Sequence, residues 1–429
     1  MDSLYSLFLQ YPCISTDTRN IVPDSIFVCL KGDNFDGNRF ALQALEKGAK
    51  YVVTEDRKLI NIPHCIVVDD CLKTLQKLSL FHRRQLKIPV IGITGTNGKT
   101  TTKELIAAVL SKKYSTAYTK GNLNNHIGVP LTLLDIKPQD EIAIVEMGAN
   151  HVGEIADLCK LSLPDFGVIT NIGKAHIEGF GSVENIIATK TALYHAVIEN
   201  KGTIFVNADD DVLMNAIQYD KVVYYGQKSA DGIRGEVIKM TPYLVVRIFD
   251  RIIETNLTGF YNLYNILCAA AIGNYFEVPD DAIADAIAGY IPSNNRSQIV
   301  RKRSNVIIAD YYNANPTSME AALNNLFQID CPNKAAILGD MLELGNVSKE
   351  EHLRIIDICE KNGLAAFFIG KEFYGLYPDK KNFFPDVNTF NDSSKQPLFK
   401  NTMLLIKGSR GVHLEKLNLL QMMRNIFCL

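Results

Sequence analysis

The sequence predicts an α/β chain of three domains, arranged around a central P-loop-type parallel sheet with flanking helices. Three observations lead there. The chain has 429 residues, more than one compact core holds, so two to three domains are expected. Short apolar runs alternate with helical stretches through its middle and its last third. Between the first region and the second stands Pro89-Val-Ile-Gly-Ile-Thr-Gly-Thr-Asn-Gly-Lys-Thr-Thr-Thr102, an apolar run that breaks into a glycine turn and re-emerges as a helix.

Residues 1–87 predict a small N-terminal α/β domain. Its strand-like runs are Ser25–Leu30, Tyr51–Thr54 and Cys65–Val68, with a helical stretch Arg39–Lys47 ended by Gly48 and a second helix from Leu72 to Gln85. Residues 88–294 predict the central domain, with strands at 89–94, Glu141–Glu146, Phe166–Thr170, Gly202–Asn207 and Lys221–Tyr225. Polar residues follow these strands, and ligands of such sheets sit at the carboxyl ends. The turn-rich stretch Tyr290-Ile-Pro-Ser-Asn-Asn295 marks a second boundary. Residues 295–429 then repeat the pattern as a Rossmann-like α/β domain, with strands Val306–Ala309, Lys334–Leu338, Ala365–Ile369 and Met403–Ile406.

Composition narrows the function classes. Hydrophobic residues at 47% and charged ones at 21% are ordinary for a globular protein, and the formal charge of -2 argues against an extended nucleic-acid surface. The N-terminus lacks a basic segment before an apolar one, and no uncharged run reaches the roughly 20 residues that span a bilayer. Nine cysteines are scattered with no C-x-x-C spacing, which reads as buried thiols in a reducing compartment and predicts a cytoplasmic protein.

The glycine turn carries the chemistry. Strand, turn and helix N-terminus together form a phosphate cradle in which Gly95, Thr96, Asn97, Gly98, Lys99, Thr100 and Thr101 face the anion. Lys99 is placed to reach the outer phosphates and Thr100 to ligate Mg²⁺. The strict G-x-x-x-x-G-K-[ST] spacing requires glycine at 93, where this chain has Ile93, so the loop is a variant cradle. Glu146 ends an apolar strand, the usual position of a magnesium ligand beside such a loop, although a strand-end carboxylate also caps helices. Asn171 and His176 follow the next strand, and Lys190 lies a helix later. Read alone, the last two are a loop histidine and a solvated helix lysine.

Taken together, Gly95–Thr101, Gly121-Asn-Leu-Asn-Asn-His-Ile-Gly-Val-Pro130, Glu146-Met-Gly-Ala-Asn-His151 and Ala175-His-Ile-Glu-Gly-Phe-Gly181 resemble the Mur ligase family. The resemblance continues through Asp310-Tyr-Tyr-Asn-Ala-Asn-Pro316, Leu338–Gly345 and Lys407-Gly-Ser-Arg410, and at the N-terminus through Ser15–Arg19 and Phe27–Gly37. It implies an ATP-dependent amide ligase using two Mg²⁺ ions, with Thr100, Glu146, His176 and Lys190 as metal ligands. Lys190 resembles the family lysine carbamylated by CO₂, and Lys99, His176 and Lys190 are the implied catalytic groups. Asn265, Arg296 and Asp310 resemble residues that contact or close over ATP. The family's Gly-x-His-Asn-x-x-Asn pattern appears as Gly259-Phe-Tyr-Asn262-Leu-Tyr-Asn265, with Tyr261 in place of histidine.

The same resemblance implies the substrates. Asn122, Asn124, Asn125 and His126 are assigned to the muramoyl-peptide. Ser15, Thr16, Asp17, Arg19, Asn34 and Phe35 are assigned to the uridine and pyrophosphate end, where arginine meets phosphate bidentately. Asn313 and Asn315 are placed at the substrate as well. The motifs favour the family member that joins D-alanyl-D-alanine to UDP-N-acetylmuramoyl-tripeptide through an acyl phosphate. The rivals are a Mur-type or folylpolyglutamate-type ligase adding a single amino acid, and a regulator that keeps the loop for binding alone. Self-contained domains predict a monomer, with closure of the third domain onto the central one under ATP.

Overall fold

The computed structural model describes residues 1–32, 35–173, 177–216, 218–293, 295–393 and 399–421. Their strands form three main sheets that follow one another along the chain, plus a two-stranded hairpin of Lys31–Gly32 with Phe35–Asp36. In the first sheet Ile14–Ser15, Ile26–Val28, Tyr51–Thr54 and Cys65–Val67 run parallel. Helices Asp2–Gln10, Ala41–Glu46 and Cys71–Gln85 supply its cover, and Ile26, Phe27, Val52, Leu75 and Leu78 fill the core between.

The central sheet has nine strands. Across it lie Arg251–Glu254, Val245–Ile248, Ile233–Lys239, Val222–Gly226, Thr203–Asn207, Phe166–Ile169, Val90–Thr94, Ile142–Glu146 and Thr116–Tyr118. The expected parallel arrangement holds from Thr116–Tyr118 through Ile233–Lys239, but the last two strands pair antiparallel. This extension lies beyond the strands read in the sequence, the last of which is Lys221–Tyr225. The physical reason is solvation: Ile233–Lys239 alternates buried and exposed residues, as antiparallel strands with one wet face do, so it leaves no continuous apolar run. Val90–Thr94, by contrast, is buried at all five positions because helices cover both faces. Ile91 and Ile93 enter a core with helices Lys99–Leu110 and Asn262–Tyr275, while Val90 joins Glu154–Ser162 and Val183–Glu199 on the opposite face. That split is the period of two expressed across a doubly covered sheet.

The third sheet runs Gln298–Lys302, Asn305–Asp310, Met403–Lys407, Lys334–Gly339, Ala365–Ile369 and Phe383–Phe384, with only the first strand antiparallel. Arg83 fastens the first sheet's last helix to the central sheet. Its guanidinium donates to the carbonyls of Ser162 (2.8 Å) and Leu163 (2.9 Å) and to Asp165 Oδ2 (2.9 Å), whose carboxylate also accepts from Val90 N. A buried arginine with this many partners is a structural rivet, since an unpaired one there would be costly. No helix among the described residues is long and apolar enough to cross a membrane. The cysteines among them are all free thiols.

Candidate active site

A cavity of about 1720 Å³ opens at the carboxyl ends of the central strands. It is lined by the glycine loop, by Glu146 and Asn171 at two strand ends, by helix Asn262–Tyr275, by Arg296 just before the third sheet, and by Asp310 and Lys407 of that sheet. Ligand sites of open α/β sheets are found at such an edge.

The loop's shape follows from two glycines. At Gly95 φ is +146°, and a Cβ there would stand 2.0 Å from Thr170 Oγ1. Gly98 has φ +80°, with its hypothetical Cβ 2.7 Å from Asn265 Oδ1. Both positions therefore demand glycine for backbone conformation and for space. Between them, Asn97 is clamped. Its N–H donates to Asn171 Oδ1 (3.0 Å), and its carbonyl accepts from Asn171 Nδ2 (3.0 Å) and Thr170 Oγ1 (2.6 Å). Asn315 Nδ2 reaches across from the third domain's region to Asn97 Oδ1 at 2.8 Å. Helix Lys99–Leu110 starts at once behind Gly98, so its first N–H groups point into the cavity with the positive end of the helix dipole.

Two lysines meet at one carbonyl of this loop. Lys99 Nζ donates to Gly95 O (2.7 Å) and Thr96 O (3.1 Å), and the buried Lys190 Nζ donates to Gly95 O at 3.1 Å. Burial pulls the Lys99 ammonium down to about 8, against the pull of Glu146. Burial likewise pulls Lys190 down to about 7, with the Lys99 charge adding to the effect. Lys190 also lies over the Phe180 ring, 5.9 Å from its centroid.

Glu146 is 1% exposed and is held from several directions. Thr100 Oγ1 lies 3.2 and 3.0 Å from its two carboxylate oxygens, Asn124 Nδ2 donates at 2.8 Å, and Lys103 Nζ is 3.5 Å from Oε2. The Lys103–Glu146 pair is fully buried, and sequence reasoning missed it. Its signal was the spacing: Lys103 stands three residues after Thr100, so both share the helix face that meets Glu146. Among the described residues no group of three or more His, Cys, Asp and Glu side chains could hold a metal ion. The Thr100 hydroxyl and Glu146 carboxylate are nonetheless adjacent hard oxygen donors. That set fits Mg²⁺, which is held by one or two carboxylates plus phosphate oxygens and water.

On the opposite wall, Asn265 Oδ1 accepts from Thr102 Oγ1 (3.0 Å), tying the two helices that flank the loop, while its amide donates to Asn262 Oδ1 (2.8 Å) within its own helix. Asp310 accepts from Ser297 N (3.1 Å) and from Lys407 Nζ (2.7 Å). Arg296 stacks on Tyr312, its guanidinium carbon 3.7 Å from the ring centroid. Asn315 caps helix Pro316–Gln328 with a reciprocal Ser318 contact, and the Asn313 carbonyl accepts from Lys407 Nζ at 3.2 Å. Lys407 and Tyr312 were not singled out from the sequence, although both lie in or beside motifs quoted above.

The expected substrate residues divide. Asn124, Asn125 and His126 line the cavity, with Asn125 Oδ1 accepting from the N–H groups of Ile127 (3.1 Å) and Gly128 (2.9 Å). Asn122 is exposed and outside the lining. Ser15, Thr16, Asp17, Arg19 and Phe35 belong to the first sheet's domain and do not line this cavity. Arg19 is engaged with Asp17, its Nη2 2.6 Å from Oδ2, and holds that carboxyl down to about 2. Phe35 is half exposed and stacks on Phe40 at 5.4 Å. Asn34 and His176 lie outside the described residues.

With this geometry in view, comparison with known proteins is specific. Three family models match in the order of the sheets: "Mur ligase family, catalytic domain" over residues 10–94, "Mur ligase middle domain" over 93–273, and "Mur ligase, glutamate ligase domain" over 295–410. The chain belongs to the Mur ligase family. It is 34% identical over 420 residues to the UDP-N-acetylmuramoyl-tripeptide–D-alanyl-D-alanine ligase of Bacillus subtilis, covering 94% of this chain and 92% of that one. Identity to the ligase of the same name from Treponema pallidum is 32% over 429 residues, with the same two coverages. The crystal structure of MurF ligase from Thermotoga maritima in complex with ADP superposes with a TM-score of 0.82 at 28% identity, covering 97% of both chains.

Proposed function

We propose that this chain is an ATP-dependent ligase that joins D-alanyl-D-alanine to UDP-N-acetylmuramoyl-tripeptide, giving the pentapeptide precursor of peptidoglycan with ADP and phosphate. The observation that carries the reading is the convergence on one cavity of the glycine loop, the Thr100–Glu146 oxygen pair, Arg296 just before the third sheet, and Asp310 within it. The acceptor carboxylate attacks the γ-phosphorus of ATP, forming an acyl phosphate and ADP. The dipeptide amine then attacks the acyl carbon, and phosphate leaves.

Carboxylate and triphosphate repel each other, so the site must supply positive charge before attack. Lys99, the N–H groups at the start of its helix, and Arg296 are placed to do this. Thr100 and Glu146 would hold one Mg²⁺, and Lys190, as a carbamate, a second with His176; the ions would neutralise charge on the transferring phosphoryl group. Geometry supports the Lys190 part: two lysine nitrogens crowd the Gly95 carbonyl, and carbamylation would convert a like-charge pair into an opposite one. Asn124, already bonded to Glu146, would carry the acceptor's position to the metal side.

In this reading residues 1–87 bind the UDP end, with Ser15, Thr16, Asp17, Arg19, Asn34 and Phe35 near it. Residues 88–294 bind ATP, and 295–429 close on it and take the dipeptide through Asn313 and Asn315. The proposed reaction consumes ATP and a UDP-linked sugar, which supports a cytoplasmic location. The test is phosphate release with ATP, Mg²⁺ and UDP-N-acetylmuramoyl-tripeptide, in lysine and meso-diaminopimelate forms, with D-alanyl-D-alanine or single amino acids added. Dipeptide-dependent release supports the reading, and release with single amino acids alone rejects it.

A further inference from the structure

The chain passes from the central sheet's domain to the third sheet through a short segment with an unusual backbone. Asn295 (φ +56°) and Ser297 (φ +52°) both occupy the left-handed region without being glycine, and Arg296 stands between them. Conformations of this kind persist only where surrounding contacts over-determine them. Two contacts do so here. Ser297 N donates to Asp310 Oδ1 at 3.1 Å, and Ser297 Oγ shares a 2.7 Å hydrogen bond with Tyr261 Oη. Ser297 is buried, and the Tyr261 ring packs against Gly259 at the entrance to helix Asn262–Tyr275. That helix is the one whose Asn265 holds Thr102 of the loop helix.

We propose that Tyr261 is a positioning residue, whose hydroxyl pins Ser297 and thereby fixes Arg296 and Asp310 over the nucleotide. The inference rests on the ligase reading only in taking ATP as the occupant of the cavity. Its logic is local. Without the Tyr261 hydroxyl, Ser297 keeps only its bond to Asp310 among the described residues, and the left-handed segment can relax toward ordinary backbone. Relaxation of this segment rotates Arg296, which has Tyr312 as its stacking partner and a buried Nε with no hydrogen-bond partner among the described residues. Tyr261 touches no reacting atom in this account; it acts through Ser297.

The experiment is a double-variant cycle on the full chain with Tyr261→Phe, Ser297→Ala and both together, reading ATP affinity by titration calorimetry and the KM for ATP in the phosphate-release assay. Loss of one hydroxyl-to-hydroxyl bond predicts about a three- to ten-fold weakening of ATP in each single variant. The double variant is expected to be no weaker than either single one, because all three lack the same bond. The KM values for the tripeptide and the dipeptide stay at wild-type values, and the melting temperature falls by no more than the about 2–4 °C that one lost hydrogen bond accounts for. The inference is overturned if Tyr261→Phe binds ATP as the wild type does, if the two effects multiply, or if the loss merely follows a lower melting temperature. Calorimetry reads it even should the wild type fail to turn over dipeptide, an outcome that would remove the ligase reading and leave this one standing or falling by itself.

Discussion

Alanine at position 98 places a methyl group where the loop has no room for one. Gly98 has φ +80°, and the added Cβ would lie 2.7 Å from Asn265 Oδ1. Holding alanine in the left-handed region costs about 1–2 kcal/mol. Pushing Asn265 aside also breaks the 3.0 Å bond it accepts from Thr102, worth about 0.5–1.5 kcal/mol. Together these come to about 1.5–3.5 kcal/mol, or about a ten- to three-hundred-fold change in an equilibrium constant. The strain sits in the turn that aims the first helix N–H groups and Lys99, so it falls on phosphate binding. Gly98→Ala is expected to weaken ATP and ADP by that factor in titration calorimetry and to raise the KM for ATP in step. ATP bound by Gly98→Ala as tightly as by the wild type would refute the argument that this turn is shaped for phosphate.

Three other substitutions probe separate parts of the account. Lys103→Met leaves Glu146 buried without its counter-charge, predicting a loss of about 3–5 kcal/mol in urea unfolding that Mg²⁺ with ADP partly restores; equal stability would show the pair to be inert. Lys190→Ala is expected to abolish turnover and to remove the carbamate resonance that the wild type shows in NMR with isotopically labelled bicarbonate. A wild type without that resonance would remove the second metal's proposed ligand. Burial lowers the pKa of His82, against the opposing pull of its hydrogen bond to the Ile136 carbonyl, so the fold holds it neutral. Its contribution to stability is complete above the unfolded value near 6.5 and declines below it, by at most about 1.4 kcal/mol per pH unit. His82→Gln should flatten this acid-side slope, and an unchanged slope would place its origin elsewhere.

Strand, glycine turn and helix were legible in residues 89–110 because a doubly covered parallel strand is apolar at every position and its glycines are dictated by φ and by clearance. Strands such as Tyr51–Thr54 and Ala365–Ile369 were read at their observed limits for the same reason. The antiparallel extension at 233–254 was not, because half of its side chains face water and the period-two signal is short. Glu146 and Lys190 could be picked out from position and resemblance, yet what surrounds them could not. Nothing local marks Lys103 as the partner of Glu146, which lies 43 positions away in sequence. The bond from Asn315 to Asn97, and that between Tyr261 and Ser297, join residues from separate sheets. No local pattern encodes such meetings, which depend on how the domains are set against one another.

The central claim is that the acceptor's carboxylate is activated as an acyl phosphate and captured by a dipeptide. Its most direct test uses UDP-N-acetylmuramoyl-tripeptide labelled with heavy oxygen in the reacting carboxylate, incubated with the protein, ATP, Mg²⁺ and D-alanyl-D-alanine, with mass spectrometry of both products. The account predicts one heavy oxygen in each phosphate released and one pentapeptide formed for each ATP consumed. Unlabelled phosphate, or ATP cleavage that proceeds without the dipeptide and yields no pentapeptide, would contradict it.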